Sequence, residues 1–331
     1  MKTRIVISVS LIVVALAMAN LLSHAQQATG EPPLPNRNGA PPLSNPLKVA
    51  LLKWYKADLA AHFPVGQRPY GVVFDGENIW TANYAGNTVT KLRANDGAVL
   101  GTFNVGAAPV GVTFDGANVW VSNSSDGTVS KLRASDGKTL GVFQVGNTPW
   151  WMAFDGANIW VPDGVSKVSR IRASDGKTVG TFPVGTGPIA VAFDGANVWV
   201  TNYGGAGNST VSKLQASDGK TLGTFPVGPN PLGVAFDGAN IWVANRAGDS
   251  VTKLRASDGT VLGTFDVQIE PYGLAFDGTH IWVTNFYGVA ELRASDGATI
   301  GKYPVGNPTG VAFDGANVWV AVTPNSVLVK M

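Results

Sequence analysis

The chain has 331 residues, of which 45% are hydrophobic, 14% are charged and 41 are glycine, a composition typical of a globular protein rich in turns. Its 24 Lys and Arg residues against 22 Asp and Glu residues give a formal net charge of +2, and Lys2 and Arg4 at the start of the chain account for the excess. The balanced remainder excludes recognition of nucleic acid or anionic membranes by charge alone, and the absence of cysteine excludes disulfides and a lipoprotein attachment site.

Residues 1–25 have the features of a secretory signal peptide. A short basic start precedes an apolar run from Ile5 to Leu22, and Ser23-His24-Ala25 places small residues at the two positions that a signal peptidase recognises. We therefore predict cleavage after Ala25 and a periplasmic or secreted mature protein without a membrane span. The alternative is an uncleaved membrane anchor, because the apolar run is long for a leader.

Residues 26–45 are rich in Pro, Gly, Asn and Gln, which predicts a flexible or extended linker. Ser44 and Asn45 then precede Pro46, and apolar residues follow at 47, 51, 54 and 55. A capping residue followed by proline is typical of a helix start, so we predict a short helix over residues 46–58 that packs on the domain after it. The alternative is a strand, because residues 49–62 match in length the third and fourth strands of the repeat that follows.

From residue 59 onward one unit of about 40 residues recurs seven times, each copy marked by a tryptophan. One unit contains the apolar runs Pro-Leu-Gly-Val-Ala-Phe (231–236), Ile-Trp-Val-Ala-Asn (241–245), Ser-Val-Thr-Lys-Leu-Arg (250–255) and Val-Leu-Gly-Thr-Phe (261–265). Short apolar runs separated by Asp-Gly turns predict four antiparallel strands. The repeat therefore predicts an all-β, seven-bladed β-propeller over residues 59–331, with its tryptophans packed between blades. These are Trp80, Trp120, Trp160, Trp199, Trp242, Trp282 and Trp319.

The last repeat supplies three strands, ending in the segment 325–331. Leu59 to Val65 has the form of a fourth strand but has no partner in its own repeat. We predict that this N-terminal strand completes the last blade and closes the ring, which removes an exposed sheet edge.

The copies agree at one end of the ring and differ at the other. At the repetitive pole, formed by the turns that join the first to the second and the third to the fourth strand, 13 aspartates precede glycine. Aspartate there bonds nearby backbone amides while glycine adopts positive φ, and the turns lack the further carboxylates of a calcium loop. At the variable pole, formed by the other two sets of loops, the copies diverge, so we predict the binding surface there.

Trp151 is the sharpest divergence. Six copies place Gly or Ala at its position, whereas the third copy has Trp151 beside Trp150 at the start of the innermost strand, where it should reach the mouth of the central channel. Aromatic and arginine side chains dominate binding energy at interfaces. The alternative is that exposed aromatics only cover loop backbone. The predicted ligand-binding residues are Arg68, Tyr70, Tyr84, Trp150, Trp151, Asp163, Tyr203, Arg246, Glu270, Tyr272, Phe286 and Tyr287.

The sequence predicts no catalytic residue, metal site or cofactor. Catalysis by general acid and base, or by a metal, needs such groups held together facing inward. The innermost strands contain no acid or histidine, and His24, His62 and His280 fall in separate parts of the predicted fold.

Three segments resemble the YVTN-type β-propeller repeat, which is related to the virginiamycin B lyase (streptogramin lyase) family. They are Val-Trp-Val-Thr-Asn (198–202), Ser-Thr-Val-Ser (209–212) and Phe-Pro-Val-Gly-Thr-Gly-Pro (182–188), and the resemblance covers nearly all of residues 59–331. It implies an exported bacterial propeller and, for the lyases, a magnesium-dependent elimination that uses Pro-Tyr-Gly, a histidine after a proline, and Glu-Pro-His. Pro69-Tyr70-Gly71 matches the first segment. Glu270-Pro271-Tyr272 has tyrosine where the third has histidine, and no proline segment of this chain supplies a histidine.

These features favour an exported, non-catalytic and monomeric propeller that binds a peptide, a glycan or a protein at its variable pole. One alternative is a streptogramin B lyase-like enzyme, which the missing histidines disfavour. Another is a structural module of the cell envelope, retained through the linker of residues 26–45.

Overall fold

The computed structural model describes residues 61–204 and 209–331. The predicted signal peptide, linker and helix over residues 1–58 lie outside the described residues. Within the described part, the one helical segment is the 3-10 turn Arg246–Gly248, and no helix there has the length and apolarity needed to cross a membrane.

The described chain is all-β and forms seven sheets of four antiparallel strands each, as the repeat predicts. Blade 1 contains β2 (Pro69–Phe74), β3 (Asn78–Asn83), β4 (Thr88–Arg93) and β5 (Val99–Asn104); blade 2 contains β6 (Pro109–Phe114), β7 (Asn118–Asn123), β8 (Thr128–Arg133) and β9 (Thr139–Gln144). Blade 3 contains β10 (Ala153–Phe154), β11 (Asn158–Pro162), β12 (Lys167–Arg172) and β13 (Thr178–Pro183); blade 4 contains β14 (Pro188–Phe193), β15 (Asn197–Asn202), β16 (Thr210–Gln215) and β17 (Thr221–Pro226). Blade 5 contains β18 (Pro231–Phe236), β19 (Asn240–Asn245), β20 (Ser250–Arg255) and β21 (Val261–Asp266); blade 6 contains β22 (Leu274–Phe276), β23 (His280–Asn285), β24 (Gly288–Arg293) and β25 (Thr299–Pro304). Blade 7 combines β26 (Pro308–Phe313), β27 (Val318–Val322) and β28 (Val327–Lys330) with β1 (Ala61–Pro64).

The two ends of the described chain meet in blade 7, which confirms the predicted closing strand. β1 pairs antiparallel with β28, with Ala61 opposite Lys330 and Pro64 opposite Val327. Phe63 packs on Trp319 with ring centroids 5.3 Å apart. The innermost strand of each blade contacts that of the next, and β26 contacts β2, so the blades form a closed ring.

The tryptophan of each blade is bonded to the turn that precedes it. Trp242 Nε1 donates to Asp237 Oδ2 at 2.7 Å, while Asp237 Oδ1 accepts from the backbone amides of Ala239 and Asn240 at 2.9 and 2.6 Å. All seven blades repeat this indole–carboxylate bond. The predicted turn role of these aspartates is therefore confirmed, and the indole bond links each turn to the tryptophan of its blade.

These hydrogen bonds make stability sensitive to acid. Burial alone would raise the pKa of Asp237, but hydrogen bonds from Trp242, Asn240 and the backbone outweigh it, so the pKa lies below its ordinary value. The same balance lowers the pKa values of Asp115, Asp194, Asp277 and Asp314. A lowered pKa in the folded state stabilises the protein above the unfolded pKa of about 4, and this contribution is lost as the pH falls further.

We therefore expect the free energy of unfolding to be steady near pH 7 and to fall below about pH 5. Asp237→Asn should lower it by about 1–3 kcal/mol at pH 7, because the indole and amide donors lose a charged acceptor. The deficit relative to wild type should shrink towards pH 3, where the wild-type carboxylate is itself becoming protonated. Urea unfolding at both pH values measures this, and an equal deficit at pH 7 and pH 3 would contradict it.

A cation opposite the tryptophan joins most blades to their neighbours. Lys253 lies opposite Trp242 in the sheet, with Nζ 5.0 Å from the indole centroid, and donates to the carbonyl oxygens of Ala294 and Ser295 in the next blade at 2.6 and 3.1 Å. This arrangement, a cation over the indole that donates to a turn carbonyl of the next blade, is called the inter-blade latch below. The equivalent cations are Lys91, Lys131, Arg170, Lys213 and Lys330. Blade 6 has Glu291 at this position, opposite Trp282.

Candidate functional site

The central channel is narrow because the innermost strands approach one another closely. The amide of Gly233 donates to Tyr272 O in the next blade at 3.0 Å, and a Cβ at Gly233 would overlap that oxygen. The same close approach to a backbone oxygen of the next blade explains the glycine in five of the seven copies. The channel has a volume of about 140 Å³. Besides the small residues and Trp151, its wall contains the apolar side chains of Val72, Val112, Met152, Val191, Val234, Leu274 and Val311.

Trp151 breaks the pattern of small residues and lines the channel. It is half-buried, forms an isolated parallel bridge with Ala190, and its amide donates to Ile189 O at 3.1 Å. The regular inner strand of blade 3 is reduced to Ala153–Phe154, and that of blade 6, which has Gly273 at the equivalent position, is reduced to Leu274–Phe276. Trp151 therefore reaches the channel from a segment outside the regular strand.

Aromatic side chains from blades 1, 3 and 6 meet over the channel mouth. Trp151 packs edge-on against Tyr272 with centroids 5.1 Å apart, and Tyr272 packs against Tyr70 at 6.2 Å. Trp150 extends the group beyond Trp151 at 6.0 Å, and Tyr84 extends it beyond Tyr70 at 5.3 Å. These five residues are called the aromatic row below. All five are half-buried, so each retains surface that faces solvent.

The phenol of Tyr272 resists deprotonation. Burial raises its pKa well above the ordinary tyrosine value, and the neighbouring Tyr70 raises it further through charge and hydrogen bonding. Because the phenol then stays protonated at neutral pH, it is available as a hydrogen-bond donor or acceptor but not as a phenolate.

Charged and polar groups surround the aromatic row. Arg246 Nη2 donates to Glu270 Oε2 at 2.8 Å, and both side chains are about 40% exposed, at 39% and 45%. The hydrogen bond that Arg246 donates to Glu270 raises the pKa of Arg246. Asn230 Nδ2 donates to Tyr203 Oη at 3.1 Å, and the Arg68 guanidinium lies 5.3 Å from the Tyr84 ring centroid. Tyr203 also packs on the apolar residues beneath Trp150 and Trp151.

Arg68 and Glu270 have left-handed backbone conformations, with φ of 53° and 54°. Equivalent positions in blades 2, 4, 5 and 7 are also left-handed, namely Ala108, Gly187, Asn230 and Asn307. A residue with a Cβ in this region costs about 1–2 kcal/mol. The conformation is therefore a feature of the repeat, and Arg68 and Glu270 adopt it where those four copies have smaller side chains.

Three predicted site residues lie apart from the aromatic row. Asp163 Oδ1 accepts from the backbone amides of residues 165, 166 and 167 at 2.8 to 2.9 Å, so it shapes the short loop of blade 3. Phe286 and Tyr287 pack on each other at 5.4 Å and are 48% and 53% exposed, on a loop of blade 6.

Sequence reasoning missed Asn230 and the exposed Ile269. Asn230 is the hydrogen-bond partner of Tyr203, and Ile269 is 44% exposed and bonded through its backbone carbonyl to the amide of Phe286. Both lie beside the recurring loop proline, and their divergence from the other copies was the available signal.

The described histidines lie away from the aromatic row. His62 is on β1, and His280 begins β23 at the repetitive pole. Within residues 61–204 and 209–331, no group of three or more His, Asp or Glu side chains is placed to hold a metal ion.

Comparison with known proteins supports the fold but assigns no family. No protein-family profile matches the chain, and no curated protein matches it significantly. Among solved structures, the chain is similar to Kuenenia stuttgartiensis hydrazine synthase, with a TM-score of 0.70 and 20% sequence identity over 80% of this chain and 95% of that chain. At this identity the likeness supports the β-propeller fold alone.

Proposed function

We propose that this protein is an exported, non-catalytic β-propeller that binds a peptide, glycan or protein partner on the aromatic row. The observation that carries the proposal is the contact of Trp151 with Tyr272 over the channel mouth. This contact brings side chains from blades on different sides of the ring into one surface. It is made by Trp151, which stands where the other six copies have Gly or Ala.

The channel itself is too small to hold the ligand. Pockets for drug-sized molecules measure about 300–1,000 Å³, whereas this channel has about 140 Å³. A ligand would therefore rest on the half-buried aromatic faces at the mouth. Aromatic surface of this kind supplies large contact area with little loss of side-chain entropy.

The polar groups suit recognition of a partner that has both apolar and polar parts. The Arg246–Glu270 pair and Arg68 border the row, so charges of both signs lie beside its aromatic faces.

Export is proposed from the leader sequence. N-terminal sequencing of the mature protein from the native envelope should begin at Gln26. A protein that retains Met1 in the membrane fraction would favour the anchor instead.

Peptide and glycan arrays provide the direct test of binding. Six of the seven repeat tryptophans are fully buried, whereas Trp150 and Trp151 are half-buried. A ligand on the aromatic row should therefore quench only part of the tryptophan emission. Array ligands that quench the tryptophan emission and compete with one another would support a single site on the aromatic row. Array ligands that leave the emission unchanged would contradict that site.

The lyase alternative has one observation in its favour. Tyr70 and Tyr272, from the two lyase-like segments, lie together with centroids 6.2 Å apart. Incubation of the protein with magnesium and a streptogramin B, followed by mass spectrometry, discriminates the two functions. We expect the cyclic antibiotic to remain intact. If it were linearised, the protein would be an enzyme and the non-catalytic proposal would be wrong.

A further inference from the structure

Two tryptophans of the aromatic row carry indole N–H groups that no described residue accepts. In all seven blades the indole nitrogen of the repeat tryptophan donates to a turn aspartate. In the part of the chain that the structure describes, Trp150 Nε1 and Trp151 Nε1 have no such partner, and neither nitrogen is buried. Because an indole N–H can only donate, both groups suit a ligand that supplies acceptors.

Two arginines beside the row add further donors. A guanidinium has five N–H donors and no acceptor. Arg246 donates from Nη2 to Glu270 Oε2 at 2.8 Å, so the carboxylate that borders the row is already engaged. The Arg68 guanidinium lies over the Tyr84 ring at 5.3 Å and forms no ion pair with any described carboxylate. The row therefore suits a ligand that has many acceptors and few donors of its own.

The backbone beside the row is paired within the ring. The Gly233 amide donates to Tyr272 O at 3.0 Å, the Trp151 amide to Ile189 O at 3.1 Å, and the Tyr272 amide to Thr284 O at 2.8 Å. These amides are not available to an added peptide strand, so recognition by strand addition is excluded at these positions. Contacts with a ligand must come from the side chains.

A proline-rich peptide has the complementary chemistry. Proline lacks a backbone N–H, and the polyproline II helix has no internal hydrogen bonds, so its carbonyl oxygens remain available as acceptors. Its pyrrolidine rings supply apolar surface, and its stiffness limits the entropy lost on binding. A glycan instead brings an O–H donor with each hydroxyl, and the row offers these donors few acceptors.

The shape of the row also favours this ligand. Successive ring centroids from Trp150 to Tyr84 lie 6.0, 5.1, 6.2 and 5.3 Å apart. Polyproline II advances about 3.1 Å per residue, so the row can contact at most about seven residues. Three of the four neighbouring ring pairs have interplanar angles of 69° to 87°. Such rings form a ridged surface that pyrrolidine rings can enter, in contrast to the flat platform on which a sugar ring stacks.

We propose that the ligand of the aromatic row is a proline-rich segment of a partner protein, bound as a polyproline II helix. This inference rests on the proposed binding function and specifies its ligand. The indole nitrogens of Trp150 and Trp151 donate to carbonyl oxygens of the peptide, and the pyrrolidine rings pack against the aromatic side chains.

Titration of the full chain with deca-L-proline tests the inference. The peptide has acetyl and amide ends, so terminal charges do not contribute. The matched control is deca-D-proline, which has the same composition and forms the helix of opposite hand. We expect the L-peptide to quench part of the tryptophan emission and to bind at least about tenfold more tightly, the loss expected when two hydrogen bonds cannot form. Equal binding of the two peptides, or binding of neither, would overturn the inference.

Two phenylalanine variants separate hydrogen bonding from ring packing. Trp150→Phe and Trp151→Phe each keep an aromatic ring but remove the indole N–H. Each should weaken binding of deca-L-proline about fivefold while leaving the thermal unfolding midpoint nearly unchanged. An unchanged Kd in both variants would contradict the assigned role of the indole donors and overturn the inference.

The outcomes also separate this inference from the proposed function. If deca-L-proline does not bind, but an oligosaccharide or a proline-free peptide from the arrays quenches the emission, the row binds a ligand of another class. The proline-rich ligand would then be wrong and the proposed function would stand. If no array ligand quenches the emission either, both would be wrong.

Discussion

Replacing Trp150 and Trp151 together with alanine is expected to abolish ligand binding while leaving the thermal unfolding midpoint nearly unchanged. Truncation of central aromatic anchors commonly costs 2 kcal/mol or more each, which corresponds to at least about 30-fold in Kd. The fold should tolerate the change, because six of the seven copies have Gly or Ala at the position of Trp151. Titration of an array-selected ligand and a thermal melt measure the two effects.

Phe286→Ala combined with Tyr287→Ala is the matched control. These two aromatics lie on the same pole, pack on each other and are more exposed than the aromatic row. Their removal should leave Kd within about threefold of wild type, since peripheral contacts contribute little. Ligand capture that survives the tryptophan pair, or that is lost with the control pair, would place the site elsewhere.

Deleting residues 1–66 is expected to abolish cooperative unfolding. The deletion removes β1, so β28 loses its partner and becomes an exposed edge. It also removes Phe63, which packs on Trp319 in blade 7 and lies against Gly97 in blade 1. Because repeat units are stabilised mainly by their neighbours, opening the ring at this seam should allow blades to unfold separately.

Calorimetry and circular dichroism during heating measure this loss of cooperativity. A shorter deletion of residues 1–45 leaves β1 and the segment before it in place and should melt as sharply as wild type. A protein lacking residues 1–66 that still melts in one sharp transition would show that β1 is not needed for closure.

The blade count and the closing strand could be predicted because the repeat is visible in the sequence. Tryptophans every 37 to 43 residues define the units, and the strand-like segment near Phe63 has no partner in its own unit. The inter-blade latch was also visible in principle, as a lysine or arginine that recurs at one position and becomes Glu291 in blade 6. Its meaning required the structure, because in blades 1 to 5 its acceptors lie 41 to 47 residues further along the chain, in the next blade.

The composition of the candidate site could be predicted, but its geometry could not. Divergence between copies identified the variable pole and Trp151. It did not show that Trp151 meets Tyr272, because two loops more than 100 residues apart face each other only once the ring closes. Divergence between copies also did not show that the Asp163 carboxylate accepts hydrogen bonds from the backbone of its own loop. An aspartate that binds backbone amides and one that binds a ligand look alike in sequence.

Oxidative footprinting with hydroxyl radicals tests the central claim most directly. The oxidation of each aromatic residue is measured by mass spectrometry with and without a saturating array-selected ligand. Binding on the aromatic row predicts that Trp150, Trp151 and Tyr272 become protected while Phe286 and Tyr287 remain reactive. Protection confined to the repetitive pole or to the outer strands, with Trp151 unchanged, would contradict the proposal.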